Sequence, residues 1–332
     1  MTRVPVAFLL WRVARGVLTL ATVSVVTFLM FFAMPRDPAA AMCPKNCDTA
    51  RLERIRAEWG LSEPVAVQYA RYARGVVAGR DLGRAQGEHC PAPCLGYSYV
   101  TGEPVLDAIA RALPVTMSIV VPAAALWLAL GVGLGVAAAG RPGSSLDRAI
   151  GGFSLAGLAL PLYLLGSMLL LLFVYLLGVL PYPRYTAFFD SPRAWAAGLV
   201  LPWCTLALLF CAGYIRLTRA QVREAMSEDF FRTALAKGLP HRRVVRRHAL
   251  RAALTPLVTA AGLDVGAALG GTVITETTFG LYGLGRLTLD AVRADDLPML
   301  MGAVLIAALV VVVANIVVDA LYVVIDPRVR VS

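Results

Sequence analysis

Three groups of residues in this chain have the types and spacing that chemistry needs. The first is a set of thiols written CPKNC and CPAPC, pairing Cys43 with Cys47 and Cys90 with Cys94. Four such thiols suit a structural zinc site or disulfides, but zinc sites usually leave two residues between ligands, not three. Outside the cytoplasm disulfides are expected, and the spacing leaves local and crossed pairing both open. The second is Asp264, alone in an otherwise apolar run; such a carboxylate is a substrate-path candidate or one end of a hydrogen bond between helices. Pro161, with Tyr163 two residues on, joins it as a path candidate, since proline can open backbone groups to a cavity. A simple kink is the plainer expectation there. The third is RTALAKGLPHRRVVRRHALRAALTP, from Arg232 to Pro256, where Lys237 and six arginines crowd between apolar runs.

No G-x4-G-K-[ST] phosphate loop and no H-E-x-x-H pair occurs. No catalytic residue, resident metal or cofactor of the chain's own is therefore expected. GVGLG, from Gly131 to Gly135, lies in an uncharged run with no strand before it, so close helix packing explains it better than nucleotide binding. GLYGLG, from Gly280 to Gly285, is expected as a flexible turn.

The elements that must position these groups are membrane helices. Only 16% of the 332 residues are charged and 58% are hydrophobic, against about 25% charged in a typical soluble chain; the mean hydropathy is +0.71. Charge-free runs cover Gly16 to Pro35, Ala112 to Gly140, Ala149 to Pro183, Ala194 to Ile215 and Leu297 to Val318. A sixth, Ala252 to Thr275, is interrupted only by Asp264. Each reaches the roughly 17–25 residues a helix needs to cross a bilayer. The first run lacks a small-x-small cleavage site, so a retained helix is expected over a signal peptide.

The fold class is thus all-α, a polytopic membrane protein of six transmembrane helices. Ten cations against three acids between Arg216 and Arg251, and two arginines against four acids between Glu276 and Pro298, put the basic loop and both termini in the cytoplasm. The expected organisation is a tail and first helix over 1–34, an external cap over 35–111 and a five-helix core over 112–325. That core contains the basic loop 219–251, and a cytoplasmic tail follows over 326–332. In the cap, Asp48 or Thr49 should start one helix with Leu52, Ile55 and Trp59 on its apolar side. Ser62 and Pro64 should start a second, with Ala66, Tyr69, Ala73, Val76 and Val77 as its stripe. The net charge of +10 is carried largely by the cytoplasmic flank, so no nucleic-acid partner is expected.

The basic block cannot sit in hydrocarbon. Each arginine at a helix centre costs about 2.5–3.5 kcal/mol, and each leucine or valine returns only about 0.3–0.6. Its local grammar predicts a helix of about ten residues capped by Ser227, with Glu228 and Asp229 at its positive end and Gly238 as a left-handed stop. Pro240 should open a second helix. There Arg242, Arg243, Arg246, Arg247 and Arg251 should face one way and Val244, Val245, His248, Ala249 and Ala252 the other. Such a bent pair suits docking to a soluble partner or gripping anionic membrane lipids. The arginine-rich second helix suits lipid better, and Arg232 to Pro240 suits a partner.

DFFRTALAKGLPHRRVVRRHALRAALTP resembles the cytoplasmic loop of the inner-membrane permeases of bacterial ABC importers, specifically the dipeptide, oligopeptide and nickel branch. GLSEPVAVQYARY, DLGR, GEPVLDAIARALPVT, SSLDR, ALPLYLLG, ITETTFGLYGLGRL and LYVVIDPRVR carry the likeness in order along nearly the whole chain. The resemblance implies that the basic loop is the "EAA" coupling loop, with Arg232, Thr233, Ala234, Lys237, Gly238, Leu239 and Pro240 engaging an ATPase. Arg232 stands where the general motif has Glu, Arg251 where it has Pro, and Ala252 where the peptide branch has Asn.

It further implies half of a translocation path for di- or oligopeptides in the cytoplasmic membrane, with no enzyme activity in this chain. ATP and magnesium would belong to two ATPase subunits or a fused pair. The other partners would be a second homologous permease, forming a heterodimer, and an external substrate-binding protein. Nickel or a metal chelate is the alternative cargo. A polytopic signalling or structural protein is the alternative class.

Overall fold

The computed structural model describes residues 6–33, 39, 48–58, 62–81 and 89–325. Cys43, Cys47, Trp59 and the tail 326–332 lie outside the described residues. Helices dominate: α1 (Val6–Ala33), α2 (Thr49–Glu58), α3 (Val65–Ala78), α4 (Val105–Ala139), α5 (Ser145–Ala159) and α6 (Leu162–Leu170) with a π-helical extension Leu171–Leu176. After an irregular stretch come α7 (Pro192–Ser227), α8 (Asp229–Ala236), α9 (His241–Val244), a π-turn Val245–Ala249, α10 (Leu250–Thr278), α11 (Leu284–Arg293) and α12 (Leu297–Ile325). Among the described residues the sheet is limited to Arg80–Asp81 paired antiparallel with His89–Cys90.

Five stretches are long and apolar enough to cross a membrane: Trp11–Met30, Val105–Ala139, Pro192–Ser227, His241–Thr278 and Leu297–Ala320. The expected span from Ala149 to Pro183 is instead a broken pair, Ser145–Gly157 and Leu162–Leu176, meeting at 102°. Pro161 is more than a kink. Leu160 and Pro161 are both extended, with ψ of 128° and 144°. The proline ring bars the residue before it from the helical region and supplies no N–H to continue the ladder.

Contacts divide the chain into two units. One, Leu10–Pro114 with Tyr282–Val312, is built on a core of Leu95, Val105, Ile109, Leu284 and Met299. In it the cap helix α3 packs on Phe28, Leu297 and Met301 through Tyr72, with Tyr69 edge-on to Phe28 at 5.3 Å. The expected stripe is thus shifted: Tyr72 is buried while Val77 is 80% exposed. Asp48 caps α2, accepting the Arg51 N–H at 2.8 Å. Asp296, counted from sequence as an external acid, is buried and accepts hydrogen bonds from Ser98 Oγ and the Tyr99 N–H.

The other unit holds Val115–Leu281 and the chain from Val313. Its close packing uses the glycines of GVGLG. A Cβ on Gly131 would meet Tyr214 Cβ at 2.4 Å and one on Gly135 would meet Thr218 Cβ at 2.5 Å, whereas Gly133 faces open space. The expectation that these glycines allow helices to approach holds for two of the three. GLYGLG is not a flexible loop throughout: Gly280 turns the chain at φ 67°, but Gly283 and Gly285 are buried at the start of α11. Cys211 is buried in α7.

Candidate functional site

The basic block folds as an elbow. α7 ends at Ser227, whose hydroxyl donates to the Glu224 carbonyl at 2.7 Å and so closes α7 rather than capping α8. Glu228 is extended, and α8 runs for eight residues, two fewer than expected. Gly238 then takes φ 79° with its N–H donating to the Leu235 carbonyl at 2.9 Å. A left-handed residue at this position favours glycine. Pro240 sits immediately before α9 with φ −64°, the value its ring imposes.

The elbow rests on its own small core. Phe231 is buried with Val222 and Ala225 of α7, Val244 and Val245, and Ala249 and Ala253 beyond them. Ala234 and Leu239 pack half-buried against that core, and the Phe231 ring meets His241 edge-on at 5.7 Å. Arg232, Thr233, Lys237, Gly238 and Pro240 are exposed. Sequence reasoning missed Phe230 and Leu235, which stay 42% and 37% exposed beside them. The outer surface of α8 is therefore mixed apolar and cationic on a rigid base.

The π-turn changes which face is inward. Val244 and Val245 are buried as expected, but the partners further along are Ala249 and Ala253, while His248 and Ala252 are exposed. A π-turn spans one extra residue, so the i+4 positions 248 and 252 give way to 249 and 253.

A charged cluster fixes the base of α7. Asp147 at the start of α5 is buried and accepts from Arg219 Nε at 2.7 Å, Arg219 Nη2 at 2.9 Å, Arg223 Nη2 at 3.2 Å and the Gly143 N–H at 3.0 Å. The fork geometry of arginine makes this pairing directional. Ser144 caps α5 by accepting the Asp147 N–H at 3.2 Å; that cap is a local signal the sequence reading passed over, whereas the arginines 72 and 76 positions away leave no local signal.

Asp264 of α10 accepts from the Tyr214 hydroxyl of α7 at 2.8 Å. Both line a cavity of about 380 Å³ with Leu209, Phe210 and Gly213. The expected hydrogen bond between helices is thus present, and the carboxylate also stands in a cavity wall. Pro161 stands at the break before α6 and Tyr163 in its first turn, and neither is among the residues lining that cavity. Glu276, taken from sequence as an external acid, is fully buried in α10 and accepts from Thr116 Oγ1 at 2.6 Å. No local signal marks it, because TETT reads equally well as a helix end.

Cys90 and Cys94 are joined as a disulfide, the local pairing. Among the described residues no group of three or more His, Cys, Asp or Glu side chains converges as a metal site.

Residues 131–331 match the family described as the binding-protein-dependent transport system inner membrane component, and residues 5–120 match the N-terminal region of such membrane components. A protein of Brucella abortus (strain 2308) named as a peptide transport system permease is 37% identical over 98% of this chain and 99% of its own length. The dipeptide transport system permease DppB of Escherichia coli (strain K12) is 32% identical over 97% of this chain and 98% of its own. Among solved structures, inward-facing conformations of the MetNI methionine ABC transporter share the fold with a TM-score of 0.54. The identity there is 17%, covering 68% of this chain and 99% of that one. With its apolar helices, its buried helix-to-helix polar ties and family matches along nearly its whole length, the chain belongs to the inner-membrane components of binding-protein-dependent transport systems.

Proposed function

We propose that this chain forms half of the membrane path of an ATP-driven importer of di- or oligopeptides, with both termini in the cytoplasm. The relatives named above as peptide and dipeptide permeases support the cargo. The observation that carries the coupling role is the elbow: an exposed eight-residue helix, closed by a left-handed glycine, on a buried base. A second permease would complete the path, an external binding protein would deliver the peptide, and two ATPase subunits holding nucleotide and magnesium would dock against α8.

The residues of this chain would transmit force rather than make or break bonds. Phe230, Thr233, Leu235 and Lys237 offer a partner an apolar contact and a cation. Phe231, Ala234 and Leu239 tie α8 to α7 and α9, so movement of the docked helix must carry those elements with it. The Asp147 cluster hands the motion on to α5, because a forked ion pair resists sliding. Docking by α8 thus becomes a rearrangement of the bundle, the form that coupling between two sites takes when a packed element has two positions.

Reconstituted into liposomes with the second permease, both ATPases and the binding protein, the chain should support ATP-dependent accumulation of a labelled dipeptide. ATP-dependent nickel accumulation with no peptide accumulation would overturn the cargo assignment.

A further inference from the structure

A second cavity, of about 750 Å³, opens between the end of α4, the start of α5 and the α9 elbow. Its lining has two characters. Arg141, His241, Arg242 and Arg246 bring cationic or ionisable groups, with no carboxylate among the lining residues. Val132, Val136, Leu146 and Leu250 supply apolar wall. On α4 the wall runs from Val132 through Val136 to Arg141 just past the helix end. On the elbow His241, Arg242 and Arg246 alternate with Val245 before Leu250, and Leu146 stands in the first turn of α5. Cations and apolar wall are therefore separated along α4 and interleaved on the elbow.

Gly133 also lines this space, and a Cβ there would meet nothing within 4 Å. The packing glycines on either side of it, Gly131 and Gly135, face α7 instead. Arg141, Arg242 and Arg246 have no ion-pair partner within the chain among the described residues. Three arginines on the lining of one partly apolar cavity in a membrane protein, with no carboxylate in that lining, are complementary to a phosphate that carries a hydrocarbon chain. Basic pockets between membrane helices on the cytoplasmic side bind such headgroups, and the volume falls within the range of built ligand sites, roughly 300–1,000 Å³.

We propose that this cavity is a binding site for one anionic glycerophospholipid, its phosphate held by Arg141, Arg242 and Arg246 and an acyl chain lying along Val132, Gly133, Val136 and Leu250. The occupied site would brace the elbow against α4 and α5 next to the Phe231 core, with which it shares Val136, Val245 and Leu250. This goes beyond the transport reading and rests on it only for the cytoplasmic placement of the elbow. Lipid retention is read on the isolated full-length chain and needs neither solute nor ATPase, so failure of one reading is distinct from failure of the other.

The test is native mass spectrometry of the full-length chain titrated with phosphatidylglycerol, with phosphatidylcholine as the uncharged-net comparison and glycerol 3-phosphate as the chain-free anion. One tight phosphatidylglycerol is expected, and glycerol 3-phosphate should not displace it. The triple variant Arg141→Gln, Arg242→Gln, Arg246→Gln should weaken it on the order of a hundredfold, a factor of roughly five per arginine. The triple variant Arg243→Gln, Arg247→Gln, Arg251→Gln removes equal charge at residues that do not line the cavity and should change retention by less than about threefold, since charges not in contact with the headgroup act only through a screened field. Gly133→Leu and Gly133→Phe should expel the lipid while all three arginines remain. Equal losses in the two triple variants would mean diffuse surface attraction and overturn the site. So would displacement by glycerol 3-phosphate, retention of phosphatidylcholine equal to that of phosphatidylglycerol, or no effect of filling at Gly133.

Discussion

Replacing Gly238 isolates the backbone geometry of the elbow from everything around it. Its φ is 79°, and a Cβ added there meets no atom within 4 Å. Any cost of substitution is therefore conformational, not steric crowding by neighbours. For an ordinary L-residue the left-handed region costs roughly 1–2 kcal/mol. Asparagine visits it more readily and should stay below about 1 kcal/mol, whereas β-branched valine should exceed about 2 kcal/mol. Because opening of the corner limits exchange of its amides, about 1–2 kcal/mol should speed hydrogen exchange at Lys237 to Leu239 by about 5- to 30-fold in Gly238→Ala. Gly238→Asn should exchange more slowly than that and Gly238→Val faster. The assay is hydrogen exchange read by mass spectrometry on the full-length chain in lipid nanodiscs, with intact insertion checked by equal protection in α7 and α10. ATP-driven uptake in reconstituted complexes should fall in the same order, Asn least and Val most. Equal exchange in all three variants, or valine better tolerated than asparagine, would refute the claim that a left-handed corner holds the elbow.

Three further outcomes follow from the packing and the polar ties. Gly131→Ala should destabilise the bundle by about 1–3 kcal/mol through overpacking against Tyr214, while Gly133→Ala should be neutral or stabilising by up to about 1 kcal/mol; thermal melting followed by tryptophan fluorescence separates them, and equal shifts would contradict the facing assigned to the two glycines. Asp147→Asn and Arg219→Lys should each lower the melting temperature and speed exchange at the C-terminal end of α7, because neither keeps the forked pairing; unchanged exchange there would show that the cluster does not anchor the helix. Peptide mapping without reductant should recover Cys90 joined to Cys94, and a cross-link from either to Cys43 or Cys47 would refute the local pairing.

Where residues signal through their immediate neighbours, the fold was readable. The Asp48 cap, the stop at Gly238, the entry at Pro240 and five of six spans depend on interactions within a turn or on uninterrupted apolarity. The run Ala149 to Pro183 is apolar enough to cross but is not one straight helix, and for an identifiable reason: hydropathy is blind to backbone geometry, and Pro161 with Leu160 extended turns the chain by 102° inside it. The inward face of the second elbow helix was misread at His248 and Ala252 because the π-turn over Val245–Ala249 is a product of packing, and an ideal 3.6-residue period assigns the wrong partners after it. Glu276 and Asp296 were assigned to the outside by charge counting, yet both are buried on hydroxyl partners far away in sequence, Thr116 and Ser98. The basic block itself was legible as a bent cationic helix pair. Which of its residues face outward was not, since Phe230 and Phe231 are adjacent, equally apolar and oppositely placed.

Photo-cross-linking from α8 in the assembled transporter tests the central claim most directly. With a photoreactive side chain at Phe230, Thr233 or Lys237, all exposed, the account predicts adducts to a nucleotide-binding subunit, and at Phe231, which is buried, adducts only within this chain. No adduct to an ATPase from any of the three outward positions, in complexes that still import peptide, would contradict it.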